Sequence, residues 1–139
     1  MKTNYILITG VAGNIGSSFC KELLKDNFNK IIGVDNLSTG KLNNINFIKN
    51  KKFIFKKYDI NNKNHINKLF KDYKIEYIFH YAAVVGVQRT LNNPLDVLND
   101  IDGIKNILNN AKRYKIKRIF FSSSSEVYGE PFETPQNEL

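Results

Sequence analysis

Four serines, an acid and a tyrosine stand together in the stretch SSSSEVYGEP, residues 122–131. A serine hydroxyl attacks a carbonyl only when a base takes its proton. No Gly-x-Ser-x-Gly elbow or partnered histidine accompanies these serines, which argues against a hydrolase. A hydroxyl can instead hydrogen-bond a reacting oxygen and steady a proton transfer. Glu126 has two open readings, an acid close to substrate or a solvated loop residue. A second stretch, TGVAGNIG at residues 9–16, spaces Gly10, Gly13 and Gly16 as a phosphate-cradling turn requires. Gly10 permits a tight turn, Gly13 lets a diphosphate approach the backbone, and Gly16 lets a following helix pack close to the strand. The helix then offers unpaired N–H groups and a dipole worth about 0.3–1 kcal/mol to the phosphates. Asp35 lies about twenty residues past the glycines, where a carboxylate accepts hydrogen bonds from ribose hydroxyls and repels a 2′-phosphate. NAD is therefore expected as cofactor, rather than NADP.

These residues need a scaffold, and the chain supplies one in alternating pieces. Residues 4–9, 30–34, 52–57, 76–83 and 117–123 read as short apolar strands. An apolar stripe of Ile15, Phe19, Cys20, Leu23 and Leu24 predicts a helix after the glycine turn. Residues 62–72 predict a polar helix holding Ile66, Leu69 and Phe70. A long helix is predicted over 94–113, with Pro94 in its first turn and Val97, Ile101, Ile104, Leu108 and Ala111 as its inner stripe. Residues 35–44 are a polar loop with turn chemistry. The strands are continuous apolar runs, so both faces are expected to be covered. That pattern predicts an α/β fold, a doubly wound parallel sheet of order 3-2-1-4-5.

Composition excludes several other classes. The 139 residues suffice for one domain with a core. The longest apolar runs are strand-sized, so no membrane span is expected, and no leader pattern precedes the first strand; a cytoplasmic protein is the default expectation. The formal charge of +8 is spread along the chain. Its densest clusters, KNKKF at 49–53 and KRYKIKR at 112–118, belong to no nucleic-acid motif, so a solvated basic surface is expected and no specific nucleic-acid partner. The single cysteine, Cys20, allows no intramolecular disulfide and reads as a small buried residue. His65 and His80 lie far apart in the sequence, no metal site is expected, and His80 reads as a core or loop-anchoring residue.

Taken together, the motifs resemble a known family. TGVAGNIG has the TGxxGxxG form of the extended short-chain dehydrogenases, here the NAD-dependent sugar-nucleotide epimerases and dehydratases. VDNLSTG at 34–40 is similar to the cofactor loop of UDP-glucose 4-epimerases. YDI at 58–60 matches an Asp-Ile pair that flanks adenine. HYAAVVGVQRTLNNP at 80–94 and FFSSSSEVYGEP at 120–131 match the segment under the cofactor and the serine loop. The resemblance implies that Gly10, Gly13, Asn14, Ile15 and Gly16 cradle the pyrophosphate. It places Asp35, Asn36, Ser38, Thr39 and Gly40 on the adenosine ribose side, and Asp59 and Ile60 beside adenine. It sets Tyr81, Ala82, Ala83 and Val85 on the cofactor floor, with Asn99 a contact from the long helix. The family often has Asn three residues before the helix glycine; here Asp100 takes that place before Gly103, which leaves the register open by one residue. Ser124 aligns with the catalytic hydroxyl, with Glu126 next to it as a second candidate.

The implied reaction oxidises a sugar hydroxyl, with a tyrosine phenolate as base and a lysine four residues on lowering its pKa. No tyrosine in these residues has lysine four places later. The expectation is therefore an NAD-binding domain spanning 1–139, incomplete, truncated before the later strands and the substrate domain, and inactive alone. The full-length form is expected to act on a nucleotide sugar and to be a homodimer. Residues 35–40 lean towards 4-epimerases. Glu126 after Ser125 leans towards UDP-glucuronate decarboxylases, and Ser125 argues against a 4,6-dehydratase. A non-catalytic dinucleotide-binding module or fragment stays open as the alternative.

Overall fold

The computed structural model describes residues 4–26, 30–46, 48, 51–84, 86–130 and 133–134, without the side chains of residues 87, 125 and 126. Five strands and four helices follow in this order: β1 (Asn4–Thr9), α1 (Asn14–Leu23), β2 (Ile31–Asp35), β3 (Phe53–Lys57), α2 (Lys63–Asp72), β4 (Lys74–His80), α3 (Val87–Asn92), α4 (Pro94–Arg113) and β5 (Arg118–Phe121). Single 3₁₀ turns follow β2 at Leu42–Asn44 and β5 at Ser125–Tyr128. The strands form one parallel sheet in the expected order, β3-β2-β1-β4-β5.

Alternation along each strand sends neighbours to opposite faces. Leu7 and Ile32 join Val34, Ile66, Leu69, Phe70, Ile78 and Ile107 in the layer under α2 and α4. Ile8 and Ile31 join Val11, Ala12 and Cys20 in the layer under α1. Each fully buried Leu or Ile contributes about 1.5–3 kcal/mol, so the two-sided core is what holds the strand ends in register. Phe19 of α1 fastens its helix to β4 through Phe79, with ring centroids 4.6 Å apart. Burial pushes the Cys20 thiol up to about 12, so it stays protonated and inert in that layer.

Four elements differ from expectation. β5 spans Arg118–Phe121 and not 117–123, so Ser122 and Ser123 lie in the loop after it. β4 runs from Lys74 to His80 and ends before Tyr81, because the chain there bends over the glycine turn: the Tyr81 amide donates to the Thr9 carbonyl at 3.2 Å. The short helix α3 lies in a stretch with no helical period; it follows Gly86, whose φ of +111° turns the chain. α4 has the predicted span, but it is rotated. Its buried residues are Gly103, Ile107, Asn110 and Ala111, while Ile101 and Leu108 are 48% and 51% exposed. Gly103 sets that rotation. A Cβ there would lie 2.6 Å from Ile60 Cδ1 and 2.7 Å from Asn61 Oδ1, so any larger residue would have to displace those side chains for the helix to sit this close to the loop after β3. Asn106 Nδ2 then donates to the carbonyls of Ile60 and Asn61 at 3.0 and 3.1 Å.

Candidate functional site

The carboxyl ends of the five strands open onto one cleft of about 390 Å³. That is where a doubly wound sheet gathers its loops. The glycine turn forms its floor. Gly10 has φ +69°, and a Cβ there would stand 2.8 Å from the Ala82 nitrogen and the Tyr81 carbonyl carbon. Gly16 is tighter still, since a Cβ would press into the Gly10 carbonyl oxygen. Gly13 is N-cap of α1 and makes no side-chain cap. Ser17 donates the first helical hydrogen bond, to the Gly13 carbonyl, so the amides of Asn14, Ile15 and Gly16 have no partner within the helix. They face a cleft that Gly13, Asn14, Ile15 and Gly16 line.

Asp35 ties this turn to β2. It is 8% exposed, and its Oδ2 accepts the Ala12 amide at 2.9 Å while Oδ1 accepts the Leu37 amide at 2.8 Å. Leu37 needs that second bond, because its φ of +64° is costly for a branched side chain. Asn36 closes its own turn by accepting the Ser38 amide at 2.9 Å. Gly40 does not line the cleft; it backs the Asp35 carboxylate, where a Cβ would lie 2.8 Å from Oδ1. A carboxylate has about four lone-pair sites, so Asp35 keeps acceptor capacity toward the cleft beyond its two internal bonds.

The β4 side is set by a buried pair. Thr9 Oγ1 accepts the Ala82 amide at 3.2 Å and shares a second hydrogen bond with His80 Nδ1, 2.9 Å away. Burial lowers the His80 pKa to about 4, which keeps the imidazole neutral. His80 thus anchors the loop Tyr81, Ala82 and Ala83, all of which line the cleft. Burial raises the pKa of the Tyr81 phenol above its ordinary value, so this tyrosine is not poised as a base. The Val84 amide donates to Asp100 Oδ2 at 2.5 Å, drawing α4 to the rim.

A family model described as GDP-mannose 4,6 dehydratase matches residues 7–139. The chain belongs to the GDP-mannose 4,6-dehydratase family. It is 41% identical over 136 residues to a putative UDP-glucose 4-epimerase of Methanocaldococcus jannaschii, covering 96% of this chain and 42% of that protein. A UDP-glucose 4-epimerase of Thermotoga maritima, solved with UDP-glucose, superposes with TM-score 0.80 at 34% identity over 94% of this chain and 41% of that one. The UDP-glucose 4-epimerase of Bifidobacterium longum, in complex with NAD⁺ and UDP, gives TM-score 0.83 at 28% identity over 98% of this chain and 41% of that one. The chain spans less than half the length of the curated relatives it matches.

Within this family member, most of the expected site residues meet in one place. Gly10, Gly13, Asn14, Ile15, Gly16, Asp35, Asn36, Ser38, Thr39, Asp59, Ile60, Tyr81, Ala82 and Ala83 all line the cleft. Val85 and the Glu126 side chain lie outside the described residues. Asn99 is exposed and does not line the cleft, whereas Asp100 does. Ser124 is not among the lining residues either; Ser122 and Ser123 are, and the Ser124 carbonyl accepts the Val127 amide at 3.3 Å. Val34, Tyr58, Asn61 and Val84 also line the cleft. Their signal was adjacency: each neighbours a residue with an evident role.

Proposed function

We propose that this chain is the NAD-binding portion of an NAD-dependent nucleotide-sugar epimerase or decarboxylase that works by transient oxidation of a sugar hydroxyl. One observation carries the reading. A single cleft joins the unpaired amides at the start of α1, the Asp35 carboxylate, Asp59 and the Tyr81–Ala83 loop. A Cβ at Gly10 or Gly16 would strike backbone, so the tight turn below the cleft requires both glycines, and the donor and acceptor set of the cleft suits a diphosphate flanked by ribose. The bound dinucleotide would accept hydride from the sugar carbon and return it. The amides of Asn14, Ile15 and Gly16 hold the pyrophosphate, and Asp35 accepts the adenosine ribose hydroxyls and turns away a 2′-phosphate. Tyr81, Ala82 and Ala83 form the floor. Ser124 hydrogen-bonds the reacting hydroxyl from the loop after β5, with Glu126 beside it.

No residue of this chain is assigned the proton removal, since Tyr-x-x-x-Lys is absent from these 139 residues. The 139-residue chain alone therefore binds cofactor without turning over nucleotide sugar. Between substrate outcomes, the 4-epimerase relatives support epimerisation. A cytoplasmic location fits the single, buried, inert Cys20. No helix among the described residues is long and apolar enough to cross a membrane. We extend the proposal to a homodimer of the full-length form, and to self-association of the isolated chain through the apolar edge at β5, where Phe120 and Phe121 are 40% and 59% exposed.

Calorimetric titration with NAD and NADP tests the cofactor assignment. NAD should bind at least about tenfold tighter than NADP, a difference of about 1.4 kcal/mol. Equal or tighter NADP binding would remove the role given to Asp35. Light scattering at rising concentration tests association, and a concentration-independent monomer would remove that part.

A further inference from the structure

We infer that His65, in the first turn of α2, is a positioning residue that fixes Asp59 for recognition of the adenine amine, acting through an unprotonated Nδ1. The inference rests on the dinucleotide reading above and adds a residue that does not itself line the cleft.

Tyr58, Asp59, Ile60 and Asn61 form the cleft wall after β3. Behind them, the His65 ring lies nearly parallel to the Tyr58 ring, 12° apart in plane with centroids separated by 4.6 Å. Its Nδ1 lies 3.2 Å from the Asp59 amide nitrogen. A backbone amide only donates, so Nδ1 holds no hydrogen, and the neutral ring has its proton on Nε2. The other bonds of this loop point the same way. Asp59 Oδ1 accepts the Asn61 amide at 2.8 Å, and the Asp59 carbonyl accepts the Asn62 amide at 3.2 Å. Asn62 Oδ1 caps α2 by accepting the amides of Asn64 and His65. The turn therefore closes on itself: His65 holds Asp59 with its ring, and Asn62 holds His65 by its backbone.

This leaves Asp59 Oδ2 as the one polar atom of Asp59 without a hydrogen bond among the described residues. A carboxylate oxygen held in one direction discriminates between bases. It accepts from the exocyclic amine of adenine and meets the carbonyl of hypoxanthine lone pair to lone pair. A carboxylate on a loose turn rotates away and discriminates poorly. His65 thus serves selectivity for adenine, through two contacts that can be removed separately. Asparagine places an Oδ1 acceptor where histidine has Nδ1 and lacks the ring. Phenylalanine keeps the ring and lacks the acceptor.

The test is a pair of dissociation constants, for NAD and for nicotinamide hypoxanthine dinucleotide, measured on the wild type, His65→Phe and His65→Asn. One charge-assisted hydrogen bond predicts a wild-type preference for NAD of about tenfold, falling to about threefold or less in His65→Phe and staying near the wild-type ratio in His65→Asn. A merely structural role would lower both affinities together and leave the ratio unchanged. Equal ratios in the wild type and His65→Phe would overturn the inference while leaving the dinucleotide reading intact. So would a wild type that binds NAD without preferring it. A wild type that fails to bind NAD would overturn both. Nitrogen-15 spectra of the wild type supply a measurement that needs no variant: His65 should show the Nε2–H tautomer at neutral pH, and an Nδ1–H tautomer would overturn the assignment.

Discussion

The two halves of the cleft rim are supported in different ways. On the β2–β3 side, all five residues of β2 are buried, and Asp35 and Asp59 already hold backbone amides of their own loops. On the β5 side, Arg118–Phe121 pair only with β4 among the described residues, and Phe121 is 59% exposed. Ser122 and Ser123 reach the cleft from a loop that the Ser122 amide ties to the His80 carbonyl by a long bond of 3.4 Å. The first half is organised from within: its glycines, carboxylates and caps constrain one another. The second half pairs with β4 alone among the described strands, packs Ile119 against the core, and exposes an apolar strand edge, the feature that invites pairing with another chain. Geometry for a nucleotide and geometry for a reacting hydroxyl thus differ in how far the chain's own packing enforces them.

The sharpest way to break that contrast is at the turn that serves both halves. Gly16→Ala drives a methyl into the Gly10 carbonyl, backbone against backbone, with nothing flexible to yield. The expected loss is about 3 kcal/mol or more, since overpacking costs 1–3 kcal/mol even where side chains can move. Urea denaturation reads it, and a variant within about 0.5 kcal/mol of wild type would contradict the packing described.

Next in size is a pH effect confined to the β4 side. The His80 pKa is lowered to about 4 by burial, from an ordinary 6.5. The unfolded chain therefore binds a proton at this residue that the folded chain refuses. Above pH 6.5 both states are neutral and stability is whole. As pH falls from 6.5 towards 4, stability declines, by up to about 3 kcal/mol from this group. His80→Asn keeps a hydrogen-bonding partner for the Thr9 hydroxyl and removes the titration. Its urea midpoint should fall less steeply over that window than the wild type's, and parallel slopes would refute the assignment.

How much of this was legible beforehand follows the same division. The glycine turn, Asp35 and the strand order are local signals: spacing, strand length and continuous apolar runs. The rotation of α4 is not local. Its sequence offers two overlapping stripes, and the one holding Ile101, Ile104 and Leu108 is the more hydrophobic. The helix buries the other, because Gly103 permits a closer approach to Ile60 than any apolar side chain allows. A glycine adds nothing to a hydrophobic period, so periodicity could not find it. The serines posed the opposite difficulty. Four identical residues cannot show by composition which of them face a cleft, and the end of β5 decides it for Ser122 and Ser123. Helix α3 is six residues long, too short for a period to declare itself.

On the β2 side, Asp35→Ala sharpens the comparison. It strips the Ala12 and Leu37 amides of their shared acceptor and leaves Leu37 unsupported at positive φ. About 2 kcal/mol of stability should go, together with at least about a tenfold loss in NAD affinity. The NAD over NADP preference should shrink with it. A variant that loses stability but keeps its cofactor preference would make Asp35 a turn residue and nothing more.

The smallest expected effect decides a register. Asn99 is the helix residue that the resemblance assigned to the cofactor, yet Asp100 lines the cleft and bonds the Val84 amide, while Asn99 faces solvent. Substituting Asn99 by Ala should change stability and NAD affinity by no more than about 0.5 kcal/mol, as at any exposed helix position. Asp100→Ala leaves the Val84 amide without its carboxylate and should cost about 1–2 kcal/mol, with weaker NAD binding because the Ala83–Val84 floor loosens. If the ranking reversed, α4 would have to be turned by about one residue, away from the packing of Gly103 on Ile60. The two substitutions therefore test the same packing that hid the helix's orientation from the sequence, at the point where it meets the cofactor cleft.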